Sequence, residues 1–294
     1  MRAAAAVLVL LASPAAAEVR YASFSAPSLG REVRYAVDLP ASYDSGERRY
    51  PVVYALHGLF EGAGFWERRG LTAILQGLRD RNEVPEFLVV AVDGGNSFFV
   101  NAPGGRYEDL VTRDLIEHVE STYRVVPGRE GRALLGVSMG GYAALRIAFT
   151  QPGLYRAVAA HSALLLEKPP THEEGAGRGQ MAAFQQVFGD PIDGERWAGA
   201  DPLGWAGKVD PRTAPALYFD CGSEDRYGLS AGNEDLHRRL LARGVAHTFA
   251  LLPGDHGYAY VRSVLDRSLR FAGDALRATA RPASAGAVSG KDTR

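Results

Sequence analysis

Seven short apolar, β-rich runs alternate with segments of helical periodicity, and this alternation most narrows the folds open to the chain. The runs are VRYAVDLP (residues 33–40), PVVYALHG (51–58), FLVVAVDGG (87–95), RALLG (132–136), YRAVAAHS (155–162), PALYFDCG (215–222) and HTFALLPG (247–254). Several are continuously apolar rather than alternating. That pattern marks strands covered on both faces, as in a parallel sheet flanked by helices. Between them, LTAILQGLRDRN spaces Leu71, Ile74, Leu75 and Leu78 at helical intervals, and YEDLVTRDLIEHVESTYR does the same with Leu110, Val111, Leu115 and Val119. NEDLHRRLLARG ends on Gly244, a C-cap signal, and VRSVLDRSLRFAGDAL closes the series. The reading is an α/β fold: a mostly parallel central sheet, helices on both faces, and a first strand that enters antiparallel through a hairpin.

The N-terminus reads MRAAAAVLVLLASPAAAEV. Arg2, the apolar stretch 3–12 and Ala15-Ala16-Ala17 predict an export signal peptide over residues 1–17, cut after Ala17. The apolar stretch is well short of the roughly 20 residues a membrane-spanning helix needs, so an exported protein without stable membrane insertion is expected. Residues 18–278 read as one domain, and 279–294 as a small, polar, disordered tail. A formal net charge of -1, with arginines scattered rather than clustered, gives no footprint for a nucleic-acid partner. Cys221 is the sole cysteine, so the core must hold the fold without an internal disulfide.

One connection breaks the rhythm. Residues 164–214 form an insertion far longer than a usual link between a helix and a strand, ahead of the run PALYFDCG. It carries a loop, EKPPTHEEGAGRG, and then QMAAFQQVFGD, which reads as a short amphipathic helix. Met181, Phe184, Val187 and Phe188 give it an apolar stripe, and a lid or substrate-wall role is expected, with Phe184 as the wall candidate.

The stretch RALLGVSMGGYAAL (residues 132–145) fences a serine with Gly136, Gly140 and Gly141 between an apolar run and a helical one. Glycine weakens both kinds of element, so three of them need a reason. G-x-S-x-G between strand and helix supplies one: a turn so tight that side chains would clash, which lifts a serine hydroxyl above the sheet edge. Ser138 is therefore the candidate nucleophile. A serine hydroxyl needs a base, and in this arrangement an acid and then a histidine follow at the ends of later strands. His256, in LPGDHGYAY, is the last of seven histidines and suits the base. His118, His172, His237 and His247 are expected in solvent, and His161 as a structural or wall residue. Asp220, Glu224 and Asp225 follow PALYF. Asp220 lies where it can cap the turn. Asp225 is preferred to Glu224 because the loop after a G-x-x-D turn presents it toward the histidine loop. The oxyanion donors should be the backbone N–H groups of Met139, after the nucleophile, and Leu59, in the loop ALHGLFEG. His57 is read as a brace for that loop, and Phe60 as a wall candidate beside it.

ALHGLFEG, GVSMGGYAAL, CGSEDRYG and GDHGYAY, in this order and spacing, resemble the putative-esterase branch of the α/β-hydrolases. That branch holds esterase D (S-formylglutathione hydrolase), feruloyl and acetyl-xylan esterases, tributyrin-type esterases and mycolyltransferases. The resemblance covers roughly residues 21–276. It implies the α/β-hydrolase fold and an acyl-serine mechanism with Ser138, Asp225 and His256, assisted by Leu59 and Met139. It also implies that residues 93–109 face the substrate, with Asn96, Phe98 and Tyr107 as wall candidates. No metal or organic cofactor is called for, since the chain lacks H-E-x-x-H, C-x-x-C and a phosphate loop. The expected activity is hydrolysis of short-chain or aryl esters, on small-molecule or carbohydrate-linked substrates. Acyl transfer with the same triad and S-formylglutathione-type thioester hydrolysis stand as alternatives.

Overall fold

The computed structural model describes residues 18–171 and 177–280. The expected signal peptide (1–17), His172 and residues 281–294 lie outside them. The described residues form ten strands: β1 (Glu18–Ala26), β2 (Arg31–Leu39), β3 (Val52–Leu56), β4 (Leu88–Val92), β5 (Asn101–Ala102), β6 (Gly105–Arg106), β7 (Arg132–Val137), β8 (Ala157–His161), β9 (Ala216–Gly222) and β10 (Thr248–Leu252). Strands β5 and β6 make a small separate hairpin, and the other eight form one sheet in the order β1-β2-β4-β3-β7-β8-β9-β10. Strands β3, β4 and β7 to β10 run parallel, while β2 pairs antiparallel with β4 and β1 antiparallel with β2. Every residue of β3, β4 and β8 is buried, which is why those runs are continuously apolar in sequence. The fold is that of the α/β-hydrolases.

Each face of the sheet carries its own core. On one face, Leu71, Leu75 and Leu78 of the helix Leu71–Asp80 pack with Val261, Leu265 and Leu269 of the helix Tyr258–Ala280. On the other lie the helical run Leu115–Thr122, the helix Met139–Thr150 and the helix Leu229–Ala242. The last helix runs to Ala280, two residues past the expected domain end at 278. Among the described residues no helix is long and apolar enough to cross a membrane.

The strand order sets the site. After β3 the chain moves outward to β4 and then returns to the other side of β3 to form β7. The loops at the carboxyl ends of β3 and β7 therefore diverge and leave a crevice. The register pairs Leu56 with Gly136, so residues 57–59 and Ser138 leave the sheet side by side. Strands β8, β9 and β10 follow in sequence on the same flank, so their C-terminal loops line up beside that crevice.

The 164–214 insertion contains the helices Arg178–Phe188, Gly194–Ala200 and Pro202–Ala206. Asp193 caps the second, its Oδ1 accepting from the Glu195 and Arg196 amides at 2.9 and 3.0 Å. Asp201 caps the third in the same way. Phe184, Phe188 and Trp197 form an aromatic cluster with Phe98, which fixes the insertion onto the body.

Candidate active site

Ser138 sits between β7 and the helix Met139–Thr150 with φ 53° and ψ -115°. A non-glycine residue there is strained by on the order of 1–3 kcal/mol and persists only where its surroundings over-determine it. They do: the Ser138 amide donates to the His161 carbonyl (2.9 Å), and its carbonyl accepts from Tyr142 (2.9 Å) and Leu164 (3.0 Å). The flanking glycines are steric requirements. A Cβ on Gly136 would press on the Gly140 carbonyl and stand 2.7 Å from the Gly141 nitrogen. One on Gly140 would stand 2.6 Å from the Leu56 carbonyl carbon and 2.7 Å from the His57 oxygen.

The loops after β9 and β10 bring an acid to a histidine. Asp225 Oδ2 lies 2.7 Å from His256 Nδ1, and its Oδ1 accepts from the Tyr227 amide at 2.9 Å. Asp225 is buried, and the Cys221 thiol donates to the same Oδ2 at 3.6 Å. Burial, and then the Asp225 carboxylate, push that thiol up to about 12, so it remains a donor. Glu224 points into solvent. Asp220 is enclosed and committed elsewhere, accepting from the hydroxyls of Tyr218 (2.8 Å) and Tyr260 (2.7 Å).

Sequence reasoning missed Asp255. Its Oδ1 accepts from the amides of both Arg226 (2.9 Å) and His256 (2.6 Å), and its other oxygen pairs with the Arg226 side chain. The Arg226 guanidinium holds this carboxyl well below the usual range. Asp255 thus clasps the acid loop to the histidine loop. An acidic residue directly before His256 was the only available signal.

The third component is the loop after β3. His57 is buried; its Nδ1 lies 2.7 Å from the Gly58 carbonyl, and its Nε2 accepts from the Gly94 amide at 3.0 Å. Burial lowers its pKa, so the ring is neutral with the proton on Nδ1. The Gly58–Leu59 peptide is trans, so C=O and N–H point in opposite directions. Holding the Gly58 carbonyl toward His57 turns the Leu59 N–H away from His57. Gly58 is close enough that its Cβ would stand 3.4 Å from the Ser138 Cβ. Met139 occupies the first helical position, where the N–H has no intrahelical acceptor.

Ser138, His256, Leu59, Phe60 and Phe184 all line one cavity of about 560 Å³. Four other wall candidates lie elsewhere. Asn96 accepts from the Phe60 amide at 2.7 Å and so braces the loop, where a substrate-facing role was expected. Phe98 is fully buried behind the wall, packed on Tyr142 and Phe184. Tyr107 sits beside the small hairpin, its hydroxyl accepting from Arg31 at 3.2 Å. His161 is enclosed between Asp220 Oδ2 and Ser268 Oγ, each at 2.8 Å. Three histidines expected in solvent are also half-buried: His118 stacks on Phe24, and His237 pairs with His247 over Phe219 and Phe249.

The family model described as "Putative esterase" matches residues 26–272. An esterase of Mycobacterium tuberculosis is 26% identical over 290 residues, an alignment covering 92% of this chain and 61% of the relative. The chain therefore spans about three fifths of that relative's length. The S-formylglutathione hydrolase of Paracoccus denitrificans is 29% identical over 273 residues, covering 84% of this chain and 90% of the relative. Among solved structures, a ferulic acid esterase superposes with a TM-score of 0.75 at 25% identity, covering 89% of this chain and 99% of that one.

Proposed function

The chain belongs to the putative esterase family, and on that premise we propose that it is a carboxylic-ester hydrolase that works through an acyl-serine intermediate on Ser138. The observation that carries this reading is that Ser138 and His256 border one cavity, with Asp225 buried behind His256 and the serine held at φ 53°.

In this mechanism Asp225 fixes the proton of His256 on Nδ1, leaving Nε2 as the base. Nε2 takes the Ser138 hydroxyl proton while Oγ bonds to the ester carbonyl carbon. The oxygen that gains negative charge accepts from the Leu59 and Met139 amides, which need no reorganisation as that charge develops. The carbon–oxygen bond to the alcohol then breaks, and the imidazolium gives that alcohol its proton. Water repeats the sequence on the acyl-serine, releasing the acid and restoring Ser138. His57 and Asn96 act behind this machinery, by orienting the loop that carries Leu59.

The substrates in this reading are short-chain or aryl esters. Support comes from the apolar lining of the cavity by Phe184, Leu164 and Leu229, and from exposed Phe60, Tyr227 and Tyr258 beside it. Residues 1–17 act as an export signal on the same proposal, supported by Arg2, the apolar stretch and Ala15-Ala16-Ala17. The test is a panel of p-nitrophenyl esters from acetyl to octanoyl, with feruloyl, acetyl-sugar and S-formyl thioester substrates. Acetyl to butyryl esters should be cleaved best. No cleavage of any ester would overturn the reading, and preference for octanoyl would overturn its substrate range.

A further inference from the structure

Arg69 is an unusual residue to find in the wall of this cavity. It follows the short helix Phe65–Arg68, and its side chain is 4% exposed although it borders the cavity. The guanidinium lies between two aromatic rings, 4.4 Å from the centre of Phe65 and beneath Tyr258. Its Nη2 donates to Glu61 Oε1 at 2.7 Å. Its Nη1 has no acceptor among the described residues. Glu61 cannot neutralise it alone, because the other Glu61 oxygen takes the Arg68 guanidinium at 2.5 Å. One carboxylate thus serves two arginines. The second arginine on the wall, Arg226, has its own partner in Asp255.

A buried guanidinium is costly unless its donors are matched, and buried charges in folded proteins are as a rule paired. Packing alone would have been served by an apolar residue, since Phe65 and Tyr258 already supply apolar contact. The ligand that satisfies such a group is an anionic oxygen pair, for which the planar guanidinium is the preferred receptor. Desolvation lowers the Arg69 pKa, against the opposing pull of Glu61. Tyr258 is 61% exposed and begins the last helix directly after His256-Gly257, so it covers Arg69 from the solvent side beside the base, and a ligand reaches the enclosed Nη1 only when that ring swings outward.

We propose that Arg69 is a specificity residue that binds a carboxylate on the ester substrate, so that the preferred substrates are esters bearing a second, anionic carboxyl group. The inference rests on the ester-hydrolase reading of the site. Carboxylate on the acyl chain, as in a dicarboxylic half-ester, and carboxylate on the leaving alcohol present the same chemistry to Nη1, and the experiment separates them.

The test uses the full chain. On the acyl side, p-nitrophenyl hydrogen glutarate is compared with p-nitrophenyl pentanoate. On the alcohol side, 3-butyryloxybenzoate is compared with phenyl butyrate. The readout is the anionic-to-neutral ratio of kcat/KM. In one arm, Arg69→Gln should lower that ratio by about ten- to a hundredfold, mainly through KM, the range expected for one charge-assisted hydrogen bond. Glu61→Gln, which removes the competing charge but keeps an acceptor for Nη2, should raise it. Free glutarate should bind Ser138→Ala in calorimetry, and adding Arg69→Gln should weaken that binding at least about tenfold. If Arg69→Gln fails to fold, the Glu61→Gln ratio decides. Unchanged ratios in both arms, or glutarate binding indifferent to Arg69, would reduce Arg69 to a strut. Absence of any ester cleavage would sink the hydrolase reading, and glutarate binding would then judge Arg69 alone.

Discussion

Gly140→Ala is the sharpest perturbation of the serine turn, because it adds one methyl group and no charge. The new Cβ would stand 2.6 Å from the Leu56 carbonyl carbon and 2.7 Å from the His57 oxygen. Ordinary contact begins near 3.4 Å, so the start of the helix must withdraw from the end of β3 by at least about 0.8 Å, the difference between 3.4 and 2.6 Å, because the Leu56 carbonyl oxygen is nearer still. The neighbours are backbone atoms in a buried strand, so they cannot swing aside. Forcing extra volume into such packing costs about 1–3 kcal/mol. The same displacement carries the Met139 amide and Ser138 away from Leu59, and a misplacement of about 1 Å can cost on the order of a hundredfold in rate. Urea denaturation and kcat on p-nitrophenyl butyrate measure the two effects. Gly153→Ala is the control, since a Cβ there meets nothing within 4 Å. A Gly140→Ala protein with stability and kcat close to those of Gly153→Ala would refute the claim that this glycine sets the spacing of the site.

Asp225→Asn should reduce kcat by about 10³ to 10⁴, because the amide no longer holds the imidazole tautomer, whereas solvent-facing Glu224→Gln should leave kcat within about twofold; steady-state kinetics on both variants checks the order. His57→Gln should lower kcat about ten- to a hundredfold with a smaller change in KM, since it disturbs the direction of the Leu59 amide and not the fit of the substrate. The same variant has a stability signature. Burial lowers the His57 pKa from 6.5, so the unfolded chain binds its proton more readily, and wild-type stability should fall as pH drops below about 6.5. The urea midpoint of His57→Gln should fall less over that range; His118 and His237 shift in the same direction but are common to both proteins. Phe184→Ala should cost about 3–5 kcal/mol of stability and move the acyl-length optimum upward, read from kcat/KM across the ester series. An unchanged profile would make Phe184 a core residue only.

The parts of this molecule that were legible in sequence are those in which a local rule and the tertiary structure agree. Strands β3, β4 and β8 are buried on both faces and so read as continuous apolar runs. The serine turn was readable because steric necessity writes glycine at Gly136 and Gly140. Strand β1 was missed because it is an exposed edge strand, with Tyr21 in solvent and an apolar pattern too weak to register. His161 ends a strand near the serine, so in sequence both a structural and a wall role stay open. The two-residue period of β8 puts it instead on the face of Ala157 and Ala159, toward the last helix, where Ser268 and Asp220 hold it. The Asn96 and Phe98 assignments failed for another reason. Phe98 and Phe99 both take positive φ, 54° and 49°, and no propensity predicts such a turn in two phenylalanines. Arg69 and Asp255 carry no motif at all, since Tyr258 over Arg69 and Arg226 beside Asp255 come from distant loops that only the folded chain brings near.

The central claim is that Ser138 becomes covalently acylated, and mapping the adduct left by a fluorophosphonate probe tests it most directly. Intact mass followed by peptide mapping should give one adduct per chain, on Ser138. Ser138→Ala should give none and should lose about 10⁴ to 10⁶ in kcat. An adduct on another residue, or a Ser138→Ala protein that keeps most of its esterase activity, would contradict the account.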